Sequence, residues 1–156
     1  MPGNVDAEIA RFALTVGINK YTHLGTLPLC REDAMAMAKE LGKHNFRVHT
    51  LVDCGKADMD REIDKWLEEL PASSPSVAVM HFSGHGYEID VENFLVPIDA
   101  DCMTQDDVKK KCISFQRMLS NIGSKFGGSI LVILLLDCCR AGMKSPNFKG
   151  SLPNSK

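Results

Sequence analysis

The chain reads as an α/β protein, a three-layer sandwich with a mostly parallel central sheet. Two observations predict this. Apolar runs of strand length alternate with amphipathic helical segments along the 156 residues, the pattern of a parallel sheet covered on both faces and joined by right-handed crossovers. Two of the most apolar runs, 77–82 and 130–136, each lead into a polar motif: Ser83-Gly84-His85-Gly86 and Asp137-Cys138-Cys139-Arg140-Ala141-Gly142. Strand ends at one edge of an open α/β sheet are where such proteins bind ligands.

The elements follow in order. Residues 12–18 read as a buried strand, and a polar turn covers 19–25. A helix over 32–41 places Ala34, Met37, Ala38 and Leu41 on one face and stops at Gly42. Residues 46–52 form the second strand. The clearest helix is 58–70, where Met59, Ile63, Trp66, Leu67 and Leu70 recur at helical spacing. That spacing makes Trp66 a core residue. Residues 77–82 form the third strand, and 87–89 with 93–96 a short antiparallel ribbon around Asp90-Val91-Glu92. A helix over 114–122 takes Ser114 as N-cap and Gly123 as its stop. Residues 130–136 form the fourth strand. Strands one, three and four are near-continuous apolar runs, as central parallel strands are.

Composition narrows the function classes. The net charge is −2, which offers no bulk attraction to nucleic acid. Lys109-Lys110-Lys111 is read as a solvated turn or helix edge. No apolar run approaches the ~18 residues of a membrane span. The N-terminus lacks the apolar core of a signal peptide, and the six cysteines lack the dense spacing of a disulfide scaffold. Reduced thiols and a cytoplasmic location are expected. No C-x-x-C pairing suggests zinc.

The two motifs carry the chemistry. A cysteine and a histidine at neighbouring strand ends make a nucleophile with its base. Taken singly, such a cysteine is a small hydrophobe and such a histidine is structural; together at two strand ends with glycines at both they point to catalysis. Gly84 and Gly86 permit a tight turn and close approach of a substrate backbone. An N–H of that turn, with the cysteine's own, can hold the oxyanion of an acyl transfer. Asp137 shares a strand face with Cys139 and would attract a cationic side chain.

These motifs resemble the two catalytic motifs of caspase-like cysteine peptidases. The separation of 54 positions from His85 to Cys139 is close to the roughly 50 of caspases, and the resemblance runs over about 11–142, the large-subunit half of the caspase fold. Asp137 stands where aspartate-specific caspases carry Gln, which favours the metacaspase and paracaspase branch. The resemblance makes Cys139 the nucleophile, with Cys138 facing inward, and His85 the general base. It assigns the oxyanion donors to Gly86 and Cys139, and the basic-residue pocket to Asp33, Ser83 and Asp137, so that protein or peptide substrates are cut after Arg or Lys. No cofactor is required. Calcium, which activates some metacaspases, would fall to Glu92, Asp106 and Asp107, without an acidic residue soon after Cys139 to complete the site. After the cysteine, Arg140-Ala141-Gly142 is nearer to caspases and paracaspases than the His-Ser-Gly usual in metacaspases.

The resemblance divides the chain into an N-terminal extension (1–10), a catalytic domain (11–142) and a flexible tail (143–156). The small-subunit half of the family fold is missing, so a small-subunit half or a homologous chain is the expected partner, with no nucleic acid and no membrane. The alternative function is a non-catalytic caspase-like interaction module. A vicinal thiol sensor at Cys138-Cys139 is a third, disfavoured by the strain of such a disulfide.

Overall fold

The computed structural model describes residues 9–72, 74–126 and 130–138, and the backbone of 140–142. Cys139 and residues 143–156 lie outside the described residues, as do residues 1–8 of the expected extension.

Four parallel strands form the main sheet in the order β2-β1-β3-β7: β1 (Ala10–Gly17), β2 (Arg47–Val52), β3 (Ser76–Ser83) and β7 (Ile130–Asp137). Sheet growth reverses at β1, with β2 on one side and β3 on the other. This is the topological switch point at which a crevice opens beyond the carboxyl ends of the strands.

Alternate side chains divide between the two faces. Phe12, Leu14 and Val16 of β1 and Ala78, Met80 and Phe82 of β3 share one core cluster. It includes Met59, Ile63, Trp66 and Leu67 of α2 (Lys56–Glu69) and Met118, Ile122 and Phe126 of α4 (Phe115–Phe126). The other face is covered by α1 (Cys30–Lys43), which packs on β1, β2 and β3. A Cβ on Gly17 would lie 2.1 Å from the Cys30 carbonyl oxygen and 2.9 Å from the Ala34 Cβ, so the helix can approach the strand this closely only over a glycine. The sheet is thus the middle of three layers, as expected.

A smaller sheet, in the order β6-β5-β4-β8, follows the main one. It comprises β4 (Gly86–Ile89), β5 (Glu92–Leu95), β6 (Ile113–Ser114) and β8 (Arg140–Gly142). The β4–β5 ribbon is the expected antiparallel hairpin.

Several expectations are corrected. Strand four is not central among the described strands: β7 ends the sheet order, and Leu131, Ile133 and Leu135 are 60%, 40% and 39% exposed. Its apolar run packs on the core through Ile130, Val132, Leu134 and Leu136, while the alternate residues lie on the α1 side. A helix α3 (Gln105–Lys111) joins the expected elements; a Thr104–Asp107 capping box starts it, and Lys109 to Lys111 form its last turn, so that of the two readings, solvated turn or helix edge, it is the helix edge. Gly123 does not stop α4, which continues to Phe126, 4% exposed. Ser114 belongs to β6, yet its Oγ still accepts the Arg117 N–H at 3.1 Å, as a helix cap does. No helix among the described residues is long and apolar enough to cross a membrane.

Candidate active site

Three strand ends are laced together by backbone hydrogen bonds. Ile18 N–H donates to the Ser83 carbonyl at 3.1 Å, and Gly84 N–H donates to the Asp137 carbonyl at 3.2 Å. The ends of β1, β3 and β7 therefore form one platform, and Ser83 is in register with Asp137. Beyond it, Gly86 is in register with Arg140. A Cβ on Gly86 would stand 3.1 Å from the Cys138 Sγ. The histidine motif and the residues flanking Cys139 thus meet at Gly86. Cys138 packs against the core, the inward direction expected of it.

His85 is 8% exposed and held on three sides. Its backbone N–H donates to the Tyr21 hydroxyl at 2.8 Å, its ring lies 4.6 Å from the Tyr21 ring centroid, and its Nε2 is 2.8 Å from the Gly25 carbonyl oxygen. A carbonyl only accepts, so Nε2 carries the proton and Nδ1 keeps a lone pair. Burial lowers the His85 pKa, and the Gly25 carbonyl opposes that shift. The loop that carries Tyr21 and Gly25 is tied to β2: the Asp53 carboxylate accepts Asn19 N–H at 2.7 Å and Lys20 N–H at 3.1 Å. Thr22 N–H also donates to the Ile98 carbonyl at 2.9 Å.

The glycines clear space for the protein's own side chains. A Cβ on Gly84 would lie 2.5 Å from the Tyr21 hydroxyl and 2.9 Å from Phe82 Cζ. Gly86 does the same for Cys138.

Asp33 and Asp137 line one shallow depression of ≈ 410 Å³ with Ala36, Met37, Glu40 and His81. Both aspartates are exposed, which keeps their charge affordable in water. Ser83 sits behind them, 1% exposed, hydrogen-bonded to the Cys30 thiol. Burial raises the Cys30 pKa; the Ser83 bond opposes this, and Asp33 and Asp137 add to it. His81 is 6% exposed, and its Nδ1 finds no hydrogen-bond partner among the described residues. Burial lowers its pKa against the pull of Asp137 and Asp33.

Two of the three acidic residues considered for calcium are otherwise engaged. The Asp107 carboxylate accepts Thr104 N–H at 3.0 Å in the α3 cap and pairs with Lys111 Nζ at 2.8 Å. Glu92 accepts the Ser114 hydroxyl, and Asp106 is exposed on α3. Among the described residues no group of three or more His, Cys, Asp or Glu side chains gathers as a metal requires.

Sequence reasoning missed Tyr21, Gly25, Cys30 and His81 as parts of the site. His81 alone carried a signal, as the one polar residue inside the apolar run 77–82.

Comparison with known proteins completes the description. The family model described as Caspase domain matches residues 10–155. The human mucosa-associated lymphoid tissue lymphoma translocation protein 1 (Homo sapiens) is 28% identical over 143 residues, as is its homolog from Mus musculus. The match covers 92% of this chain, which spans 16% of the length of these relatives. Among solved structures, the protein GSU0716 from Geobacter sulfurreducens superposes with a TM-score of 0.66 at 23% identity. That match covers 86% of this chain and 52% of the other, and it is a likeness of fold.

Proposed function

The chain belongs to the caspase-domain family of cysteine peptidases, and from that premise we propose that it cleaves peptide bonds after Arg or Lys through a Cys139–His85 dyad. The observation that carries this reading is the meeting of the two motifs at Gly86, in register with Arg140 and against Cys138. His85 Nδ1 takes the thiol proton, since Nε2–H is committed to the Gly25 carbonyl. The Cys139 thiolate attacks the scissile carbonyl, and N–H groups of Gly86 and Cys139 hold the oxyanion. His85 then gives its proton to the leaving amine, and water hydrolyses the thioester. Asp33 and Asp137 bind the substrate cation, with Ser83 behind them; their shared depression supports this. The setting proposed is cytoplasmic, where thiols stay reduced.

A second reading is a non-catalytic module that assembles with a partner. The exposed row Leu131, Ile133 and Leu135 on β7 favours it, since apolar rows beside a sheet edge invite a covering chain. The two readings share one expected partner, a small-subunit half or a homologous chain.

An irreversible arginyl chloromethyl ketone separates them, applied with and without calcium and mapped by mass spectrometry. A single adduct on Cys139, lost in His85→Ala, supports the peptidase. A folded chain that takes no adduct in either condition supports the module. A difference between the two conditions tests calcium as an activator.

A further inference from the structure

Away from this site two thiols face one another. Cys102 and Cys112 bracket α3, both free and buried, 8% and 4% exposed, with sulfurs 3.5 Å apart. The helix holds them in place. Its capping box begins at Thr104, two residues after Cys102, and Cys112 N–H closes the last turn on the Val108 carbonyl at 2.9 Å. Val108 is fully buried and anchors the helix to the core. A disulfide has its sulfurs about 2.05 Å apart, so the pair needs to close by only about 1.5 Å.

The pair is chemically asymmetric. Either sulfur can donate the hydrogen bond between them; sharing it, with help from the Lys111 ammonium, holds the Cys102 thiol below its ordinary pKa against burial. The same bond and burial push Cys112 far up. Cys102 is therefore the better thiolate, the form that reacts with oxidants, and Cys112 the resolving thiol. Cys112 also lines a cleft of ≈ 400 Å³ with Lys56, Asp60, Lys109 and Arg117. That cleft lets a small polar oxidant approach the pair from the Cys112 side. A metal on the two thiolates would need more ligands than the described residues bring together there.

We propose that Cys102 and Cys112 form a peroxide-oxidised dithiol that closes into a reversible disulfide across α3. The Cys102 thiolate attacks one oxygen of hydrogen peroxide, and the O–O bond breaks. Cys102 becomes a sulfenic acid, and the released hydroxide leaves as water with the proton the thiol had given up. Cys112 sulfur then attacks Cys102 sulfur, the S–O bond breaks, and a second water carries away the Cys112 proton. Two thiols lose two electrons, and one peroxide gains them.

The test uses the full chain, reduced, freed of reductant and exposed to rising hydrogen peroxide. Remaining thiols are blocked with iodoacetamide, and digests are read by mass spectrometry. The expected product joins the Cys102 and Cys112 peptides, lighter by roughly 2 Da for the two hydrogens lost, and disappears on treatment with dithiothreitol. Cys102→Ser leaves Cys112 open to alkylation at the same peroxide dose. The proposal is overturned if both cysteines still alkylate fully once Cys30, Cys54 or Cys138 has oxidised. It is equally overturned if either joins a different cysteine.

Discussion

The Tyr21 hydroxyl accepts the backbone N–H of His85 at 2.8 Å, across 64 residues of sequence, while the two rings pack tilted at 53° with their centroids 4.6 Å apart. One phenol thus fixes both the backbone and the plane of the histidine. Tyr21→Phe keeps the ring and removes the acceptor, leaving a buried N–H unpaired at a cost of about 1–3 kcal/mol. We expect a lower urea midpoint and, on an arginyl peptide, a lower kcat with KM nearly unchanged. A variant that changes KM alone would assign Tyr21 to substrate binding instead.

Two glycines test the space around the site. Gly84→Ala sets a methyl 2.5 Å from the Tyr21 hydroxyl and 2.9 Å from Phe82 Cζ, and such overpacking costs roughly 1–3 kcal/mol. Gly123 in α4 has nothing within 4 Å of its Cβ position, so Gly123→Ala should stabilise by about 0.5–1 kcal/mol through helix propensity. Denaturation of the two variants side by side must give opposite signs.

Acid should weaken the fold before the carboxylates titrate. His81 and His85 both have their pKa lowered by burial. Facing His81, Asp137 and Asp33 pull the other way without reversing the shift. The unfolded chain therefore binds more protons than the folded one just below pH ~6.5, the ordinary histidine value. The stability held above that pH is lost as the pH falls through the depressed folded values. Urea midpoints between pH 7.5 and 5 should decline, and His81→Gln should flatten the decline. A midpoint that stays level over this range would contradict the burial of neutral imidazoles.

What the sequence made legible follows from how local each signal is. The runs behind β1, β3 and β7 and the spacing of Met59, Ile63, Trp66 and Leu67 are short-range patterns, and each marks a buried face. Helix α3 left little pattern because only Val108 is buried in it; its readable sign was Thr104 three residues before Asp107, a capping box with Asp in place of the usual Glu. Gly123 misled because burial of Phe126 outweighs the cost of one helical glycine. The two motifs stood out by residue type alone. The partners of His85 did not, because Tyr21 and Gly25 lie 64 and 60 residues away and no local period records such contacts.

The basic-residue pocket can be separated from the scaffold that carries it. Asp33 comes from α1 and Asp137 from the end of β7, and they line one depression. The hydrogen bond from Gly84 N–H to Asp137 uses the backbone carbonyl, so Asp137→Asn leaves the lacing of β3 to β7 in place. A hydrogen bond to a charged partner contributes more than a neutral one, so each Asp→Asn should lower kcat/KM for arginyl peptides by roughly 10- to 100-fold, mostly through KM. Both carboxylates would share one substrate cation, so the double variant should lose less than the product of the single losses. Peptides with a neutral residue before the scissile bond supply the control. Equal losses on basic and neutral peptides would mark the aspartates as structural and remove the electrostatic basis for cleavage after Arg or Lys.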